Sequence, residues 1–160
     1  MKTEQTKSAE RFLWNQYIWH KMDIFGCYEV TIGCRDTWHG GGYERVDFMT
    51  YDTRGEFRLY EIKVSKSDFN SSAKKTFCGD YNYFVMPEAL YCELGGKEYF
   101  DNNYSYKDIG IILYDAIKPC IRQAKRKTVQ FNTRADMLES MLKSMFREEK
   151  KLYDLKPYWE

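Results

Sequence analysis

The chain has almost no net charge, no paired-cysteine motif and no long apolar run, and each shortage removes a class of function. Lys and Arg number 25 against 24 Asp and Glu, a formal charge of +1. A uniformly basic surface is therefore excluded, and a nucleic-acid partner would have to be met by a local basic patch. The five cysteines are an odd number at irregular spacing and build no disulfide framework. That pattern predicts a reducing, cytoplasmic setting. His20, Cys27, Cys34 and His39 are close in sequence, but no CxxC pair accompanies them and their spacing fits no common zinc module. No run approaches membrane-spanning length, and the polar start Met1–Lys7 carries no apolar signal core, so no membrane partner is expected. Internal repeats and low-complexity segments are also missing.

What is present is one domain's worth of chain, 160 residues of which 18% are aromatic. A helix is predicted over 7–21, with Phe12, Leu13, Gln16 and Trp19 sharing a face. Strands are predicted over 26–33, 43–51, 57–65, 81–86 and 108–114. Gly40-Gly41-Gly42 breaks the chain before the second of these. Asn70-Ser71-Ser72 offers a cap for a short helix near 71–79, and Pro87-Glu88 opens another. The cleanest helical period lies at about 133–150, where Met137, Leu138, Met141, Leu142 and Met145 follow the cap-like Thr133-Arg134-Ala135-Asp136. That helix either packs on the sheet or presents a methionine-rich docking face. Strand–helix–strand alternation after residue 57 favours parallel pairing there. The expected class is α/β, a central mixed sheet of four to five strands flanked by helices, as a single domain over 1–160.

The most informative residues are Asp47, Glu61 and Lys63. In 43–51, alternation sends Val46 and Phe48 one way and Arg45, Asp47 and Met49 the other. Asp52-Thr53-Arg54-Gly55-Glu56 carries turn chemistry. In the next strand Tyr60, Ile62 and Val64 share one face, and Leu59, Glu61 and Lys63 the other. A register that sinks Val46, Phe48, Ile62 and Val64 into one core therefore gathers Asp47, Glu61 and Lys63 outside it, and a one-residue slip would scatter them. The same groups could form no more than an exposed ion pair worth under ~1 kcal/mol.

Asp47, a hairpin turn and Glu61-Ile62-Lys63 together resemble the signature of the PD-(D/E)XK nuclease superfamily. The continuation through Val64-Ser65-Lys66-Ser67-Asp68-Phe69, Lys74-Lys75 and Gly79–Pro87 is similar to its small, DNA-repair-associated MmcB-like branch. So are Ile109–Asp115 and the basic Ala124-Lys125-Arg126-Lys127. Val46 stands where the superfamily's name has proline, and the stretches 34–42 and 94–107 are longer than that family's connections. The resemblance implies a restriction-endonuclease-like core and metal-dependent hydrolysis of phosphodiester bonds in DNA, in repair or phage DNA processing. It implies Asp47, Glu61 and the carbonyl of Ile62 as ligands of Mg²⁺ or Mn²⁺, with Lys63 as the third catalytic group. An additional acid comes from Glu10 or Glu29, between which periodicity does not choose.

Lys66, Lys74 and Lys75 are the candidates for contact with a nucleic-acid backbone. Arg122, Lys125, Arg126 and Lys127 form a second basic run, which could equally be solvated surface. Two other classes stand beside the nuclease: a nucleic-acid-binding module or subunit that keeps the fold without cleaving, and an adaptor built on the methionine-rich helix. A homodimer and a larger repair complex are both compatible with the sequence.

Overall fold

The computed structural model describes residues 2–33, 43–72, 75–104 and 108–157, with Tyr43 described by its backbone alone. Helix α1 (Glu4–Tyr17) begins at Thr3, whose hydroxyl accepts the Thr6 N–H. It starts three residues earlier than the periodicity suggests, because Thr3 is the better N-cap. Its buried stripe is Ala9 and Leu13, with Phe12 and Tyr17 half-buried beside them. Gln16 and Trp19, expected on that face, are exposed. The helix closes at Ile18, and His20 lies beyond it in the left-handed region (φ 61°).

Among the described residues six strands form one sheet in chain order: β1 (Ile24–Gly33), β2 (Tyr43–Asp52), β3 (Phe57–Ile62), β4 (Tyr81–Met86), β5 (Gly110–Leu113) and β6 (Cys120–Arg122). β1–β2–β3 is an antiparallel meander, β3–β4 and β4–β5 pair in parallel, and β6 returns antiparallel. The sheet is mixed, as expected, but has one strand more than four to five. β6 is three residues long with two of them exposed, so it carries no hydrophobic pattern to announce it. Helices α2 (Lys66–Phe69), α3 (Glu88–Glu93) and α4 (Gly96–Tyr104) lie in the crossovers, and α5 (Phe131–Leu155) closes the chain.

Alternation along β3 and β4 distributes the core over both faces. Tyr60, Ile62, Tyr83 and Val85 pack against α1 through Leu13. On the other face Phe84 and Met86 meet α3 and α4 through Leu90 and Phe100, while Leu59 and Phe57 meet α5 through Met137 and Met141.

Several expectations are corrected. Val46 does not share a core with Phe48: it packs with Met49, Leu59 and Met137, whereas Phe48 packs with Tyr60 and Leu13. The pleat reverses between them, and β1 reverses opposite, where Cys27 and Val30 share the α5 core although three apart. Glu29, between them, sits at φ 52°, a conformation that side-chain-bearing residues seldom adopt. The short helix expected near 71–79 is instead α2, capped by Ser65 through the Asp68 N–H, with Asn70 at its end. β3 stops at Ile62, which leaves Ser65 free to cap. α5 starts at Gln130 rather than Thr133 and is longer than 133–150. Met137 and Met141 are buried, but Leu138, Leu142 and Met145 face outward. Of the described cysteines Cys27 is buried, while Cys92 and Cys120 are exposed. Among the described residues, no helix is long and apolar enough to cross a membrane.

Candidate functional site

The β2–β3 ladder runs from Tyr51–Phe57 to Phe48–Tyr60 and stops there. One residue further along each strand stand Asp47 and Glu61. Where a main-chain carbonyl would continue the ladder, the Asp47 carboxylate Oδ2 accepts the Ile62 N–H at 2.8 Å. The Lys63 N–H turns the other way and donates to the Val85 carbonyl at 2.8 Å, which ties the end of β3 to β4. The start of β2 is held apart by Glu44, a buried acid whose oxygens take the Thr76 N–H (2.9 Å) and hydroxyl (2.6 Å).

Asp47, Glu61 and Lys63 thus come together. The Lys63 ammonium is 3.8 Å from Glu61 Oε2 and 3.4 Å from Asp68 Oδ1. This is no surface ion pair, since Glu61 and Lys63 are each 5% exposed. Glu61 Oε1 is buried with no hydrogen-bond partner. Burial, and then the neighbouring Asp47 charge, push the Glu61 carboxyl up to about 8. Burial raises Asp47 as well, opposed by the Ile62 N–H and the Lys63 charge. An unmatched buried oxygen of this kind costs free energy unless something positive meets it.

A cavity of about 310 Å³ opens beside these groups, lined by Asp47, Ile62, Lys63 and Asp68 and, from α1 and β1, by Glu10 and Glu29. Both acids left open by periodicity therefore reach the same cavity. The Lys2 ammonium lies between them, 2.6 Å from Glu10 and 3.1 Å from Glu29. Lys66 is exposed on α2. Lys75 is half-buried, and burial followed by the nearby Lys63 charge lowers its pKa. Lys74 lies outside the described residues, as do Cys34 and His39.

The second basic run is largely committed to its own neighbours. Arg122 bonds Asp101 and the Ile109 carbonyl, Lys125 pairs with Asp108 and Arg126 with Glu56. Sequence reasoning missed Asp68, which holds Lys63 and also accepts the Val64 N–H at 3.4 Å. Ser65-Lys66-Ser67-Asp68 is the capping pattern that could have found it. Lys2 had no signal at all.

Two carboxylates, a main-chain carbonyl and an ammonium suit a hard cation and an anionic substrate. Among the described residues, no group of three or more His, Cys, Asp and Glu side chains is placed to hold a metal ion. Any such site would rest on Asp47, Glu61 and backbone oxygen.

The fold belongs to the α/β class, a mixed sheet covered by helices on both faces. It is similar to the solved structure of a protein of unknown function from Silicibacter pomeroyi, with a TM-score of 0.69 and 17% identity over 99% of this chain and 97% of that one. At that identity the likeness shows the fold alone. No family model matches the chain, and no curated protein does either.

Proposed function

We propose that the chain is a metal-dependent nuclease with a restriction-endonuclease-like core of the PD-(D/E)XK, MmcB-like kind, which hydrolyses phosphodiester bonds in DNA during repair or phage DNA processing. The observation that carries this reading is the buried, unpartnered Glu61 Oε1 beside Asp47 and Lys63, at the point where β2 and β3 part.

Mg²⁺ or Mn²⁺ would be held by carboxylate oxygen of Asp47 and Glu61 and by the Ile62 carbonyl. Glu10 or Glu29 supplies the additional acid from across the cavity. When bound, such an ion polarises a phosphate oxygen and lowers the pKa of a water. Burial and the Asp47 charge favour the protonated Glu61 carboxyl in the bare protein, and a bound cation would oppose that shift. Lys63 is held by Asp68 on one side and Glu61 on the other, so its ammonium is fixed rather than free to rotate into solvent. There it orients the attacking water and stabilises charge developing on the phosphate oxygens. Lys66, Lys74 and Lys75 bind the backbone without reading sequence.

The test is incubation with single-stranded, duplex, nicked and branched DNA and with RNA, in Mg²⁺ or Mn²⁺ and then in chelator. Cleavage should vanish in chelator and in Asp47→Ala and Glu61→Ala. Lys63→Ala should lose roughly 100- to 1,000-fold in kcat, as for removal of one charge-stabilising donor. Cleavage indifferent to chelator or to Glu61 would end the proposal. The lack of a three-side-chain metal cluster among the described residues favours a second reading, a nucleic-acid-binding module that does not cleave. That reading predicts binding which survives chelator and all three substitutions, with no products.

A further inference from the structure

Lys2, Glu10 and Glu29 line two cavities at once. Behind them, away from Asp47, lies a second cavity of about 510 Å³ walled by Trp14, Gly26, Cys27, Tyr28 and Met145. The two spaces share Lys2, Glu10 and Glu29 as a common wall, where the Lys2 ammonium bridges the two acids. Their chemistry differs. The first is faced mainly by carboxylates and ammoniums, and the second sets an aromatic pair, a thiol and a thioether among Lys2, Glu10, Glu29, Glu148 and Lys151.

The aromatic pair is fixed from below and open above. Tyr28 donates its hydroxyl to the Glu10 main-chain carbonyl at 2.7 Å and packs on Phe48 with ring centroids 4.5 Å apart. Trp14 lies over Tyr28 at 6.3 Å with an interplanar angle of 23°, and it is 39% exposed. It directly follows the fully buried Leu13 on α1, so the helix that packs on the sheet also sets the indole plane. Lys2 balances one of the two acids at the partition, and Lys151 opposes Glu148 at the far rim with 2.9 Å between them. The cavity is thus not strongly repulsive to a phosphodiester chain passing over it. An indole face, an adaptable methionine and a fixed floor beside a phosphate-directed site suit a flat, apolar, heteroaromatic group attached to that phosphate chain.

We propose that this second cavity holds one unstacked nucleobase of the strand whose phosphodiester lies over Asp47, Glu61 and Lys63, with Trp14 as the stacking surface. The substrate class follows. A continuous duplex keeps its bases within its own stack and can offer none, whereas single-stranded or locally unpaired nucleic acid can. The proposal rests on the nuclease reading for the position of the phosphate. It does not rest on cleavage.

The test is fluorescence anisotropy in chelator at one fixed salt concentration, with a labelled single-stranded oligonucleotide, the same strand in a blunt duplex, and an abasic strand of equal length. The full chain should bind the single strand more tightly than the duplex. Loss of one base–aromatic stack should cost roughly 5- to 100-fold in Kd, seen both for the abasic strand and for Trp14→Ala on the normal strand. Trp14→Ala should lose nothing further on the abasic strand, and Trp14→Phe should keep most of the affinity. Thermal melting of both variants shows that α1 still docks. Equal binding of duplex and single strand overturns the proposal, as does unchanged affinity in Trp14→Ala or a folded chain that binds no strand. Cleavage that ignores Trp14 removes the base cavity and leaves the hydrolase. The expected binding without any cleavage in Mg²⁺ or Mn²⁺ keeps the cavity and removes the hydrolase.

Discussion

The two ends of the β2–β3 hairpin are built from the same residue types and behave in opposite ways. At the turn, Asp52 is 3% exposed. Its Oδ1 accepts the Arg54 and Glu56 N–H groups, each at 3.0 Å, and its Oδ2 accepts Arg58 at 2.9 Å and Arg54 at 3.2 Å. Burial alone would raise its carboxyl, but the Glu56 N–H and the two guanidiniums outweigh it and hold the pKa below the ordinary value. Asp80, next to this end, takes the Phe57 N–H at 2.8 Å and pairs with Arg134. At the open end Glu61 is no more buried than Asp52, yet one oxygen has no donor and its carboxyl rises to about 8. Desolvation and the Asp47 charge, met by no donor at one oxygen, raise Glu61, whereas four hydrogen bonds outweigh desolvation at Asp52.

The largest effect should come from breaking the satisfied end. Asp80→Ala strands the Phe57 N–H and leaves Arg134 only the Gly55 carbonyl. It is expected to cost about 3–5 kcal/mol, read from urea unfolding, as for breaking one side of a buried ion pair. The matching change at the open end has the other sign. Glu61→Gln removes a buried charge with one unpartnered oxygen while Asp68 keeps the Lys63 ammonium paired, and it should stabilise the apo protein at pH 8 by about 1–3 kcal/mol. If Glu61→Gln destabilises as Asp80→Ala does, the contrast between the ends is gone.

A pH series sharpens the same comparison. The folded pKa of Glu61 lies above its ordinary 4.5, so the native state holds that proton more tightly than the unfolded chain. Its contribution is fully present below about pH 4.5 and is lost as pH rises to about 8, with Asp47 shifted in the same direction. Asp52 runs the other way: its contribution is present above its ordinary 3.8 and fades as pH falls below that value. The Tm should accordingly drop between pH 5 and pH 8 in the wild-type apo protein and much less in Glu61→Gln. Added Mn²⁺ should restore Tm at pH 8 in the wild type and have little effect in Glu61→Gln. A cation effect of equal size in both proteins would detach the metal from Glu61.

The convergence of Asp47, Glu61 and Lys63 was legible from the period of β3, a turn of known length and the Gly55 position, which takes φ 80°, but the pleat irregularity on either side of Asp47 was not. The parallel half of the sheet was legible from alternation of element types. Val46 was not, because the pleat reversal depends on Glu29 in the opposite strand, a long-range event that no local pattern records. The Ser65 cap was hidden by running β3 three residues too far, and the start of α5 by an apparent cap at Thr133. Arg134 lies in the first turn of α5, where pairing with Asp80 and bonding the Gly55 carbonyl favour starting the helix upstream of that cap. The partition of the site by Lys2 was beyond any spacing rule, since that lysine joins two acids nineteen residues apart (Glu10 and Glu29) from outside every periodic element.

The smallest expected effect separates the basic groups of the two ends. At the turn, Arg126 stands 3.7 Å from Glu56 and Arg58 bonds both Asp52 and Glu56, so their charges are already matched. At the open end Lys66 projects from the surface and Lys75 faces the cluster of Lys63, Glu61 and Asp68. Each phosphate contact releases counterions, so removing one should lower the slope of log K against log salt by about 0.7 on a single strand. Lys66→Ala and Lys75→Ala should each show that decrement, and Arg126→Ala should leave the slope unchanged. The decrement is small because one contact among several is removed, but it is additive and measurable where a single Kd would hide it. A slope that responds to Arg126 and ignores Lys66 would place the strand at the turn, away from Asp47 and Glu61, and would turn the satisfied end of the hairpin into the binding surface.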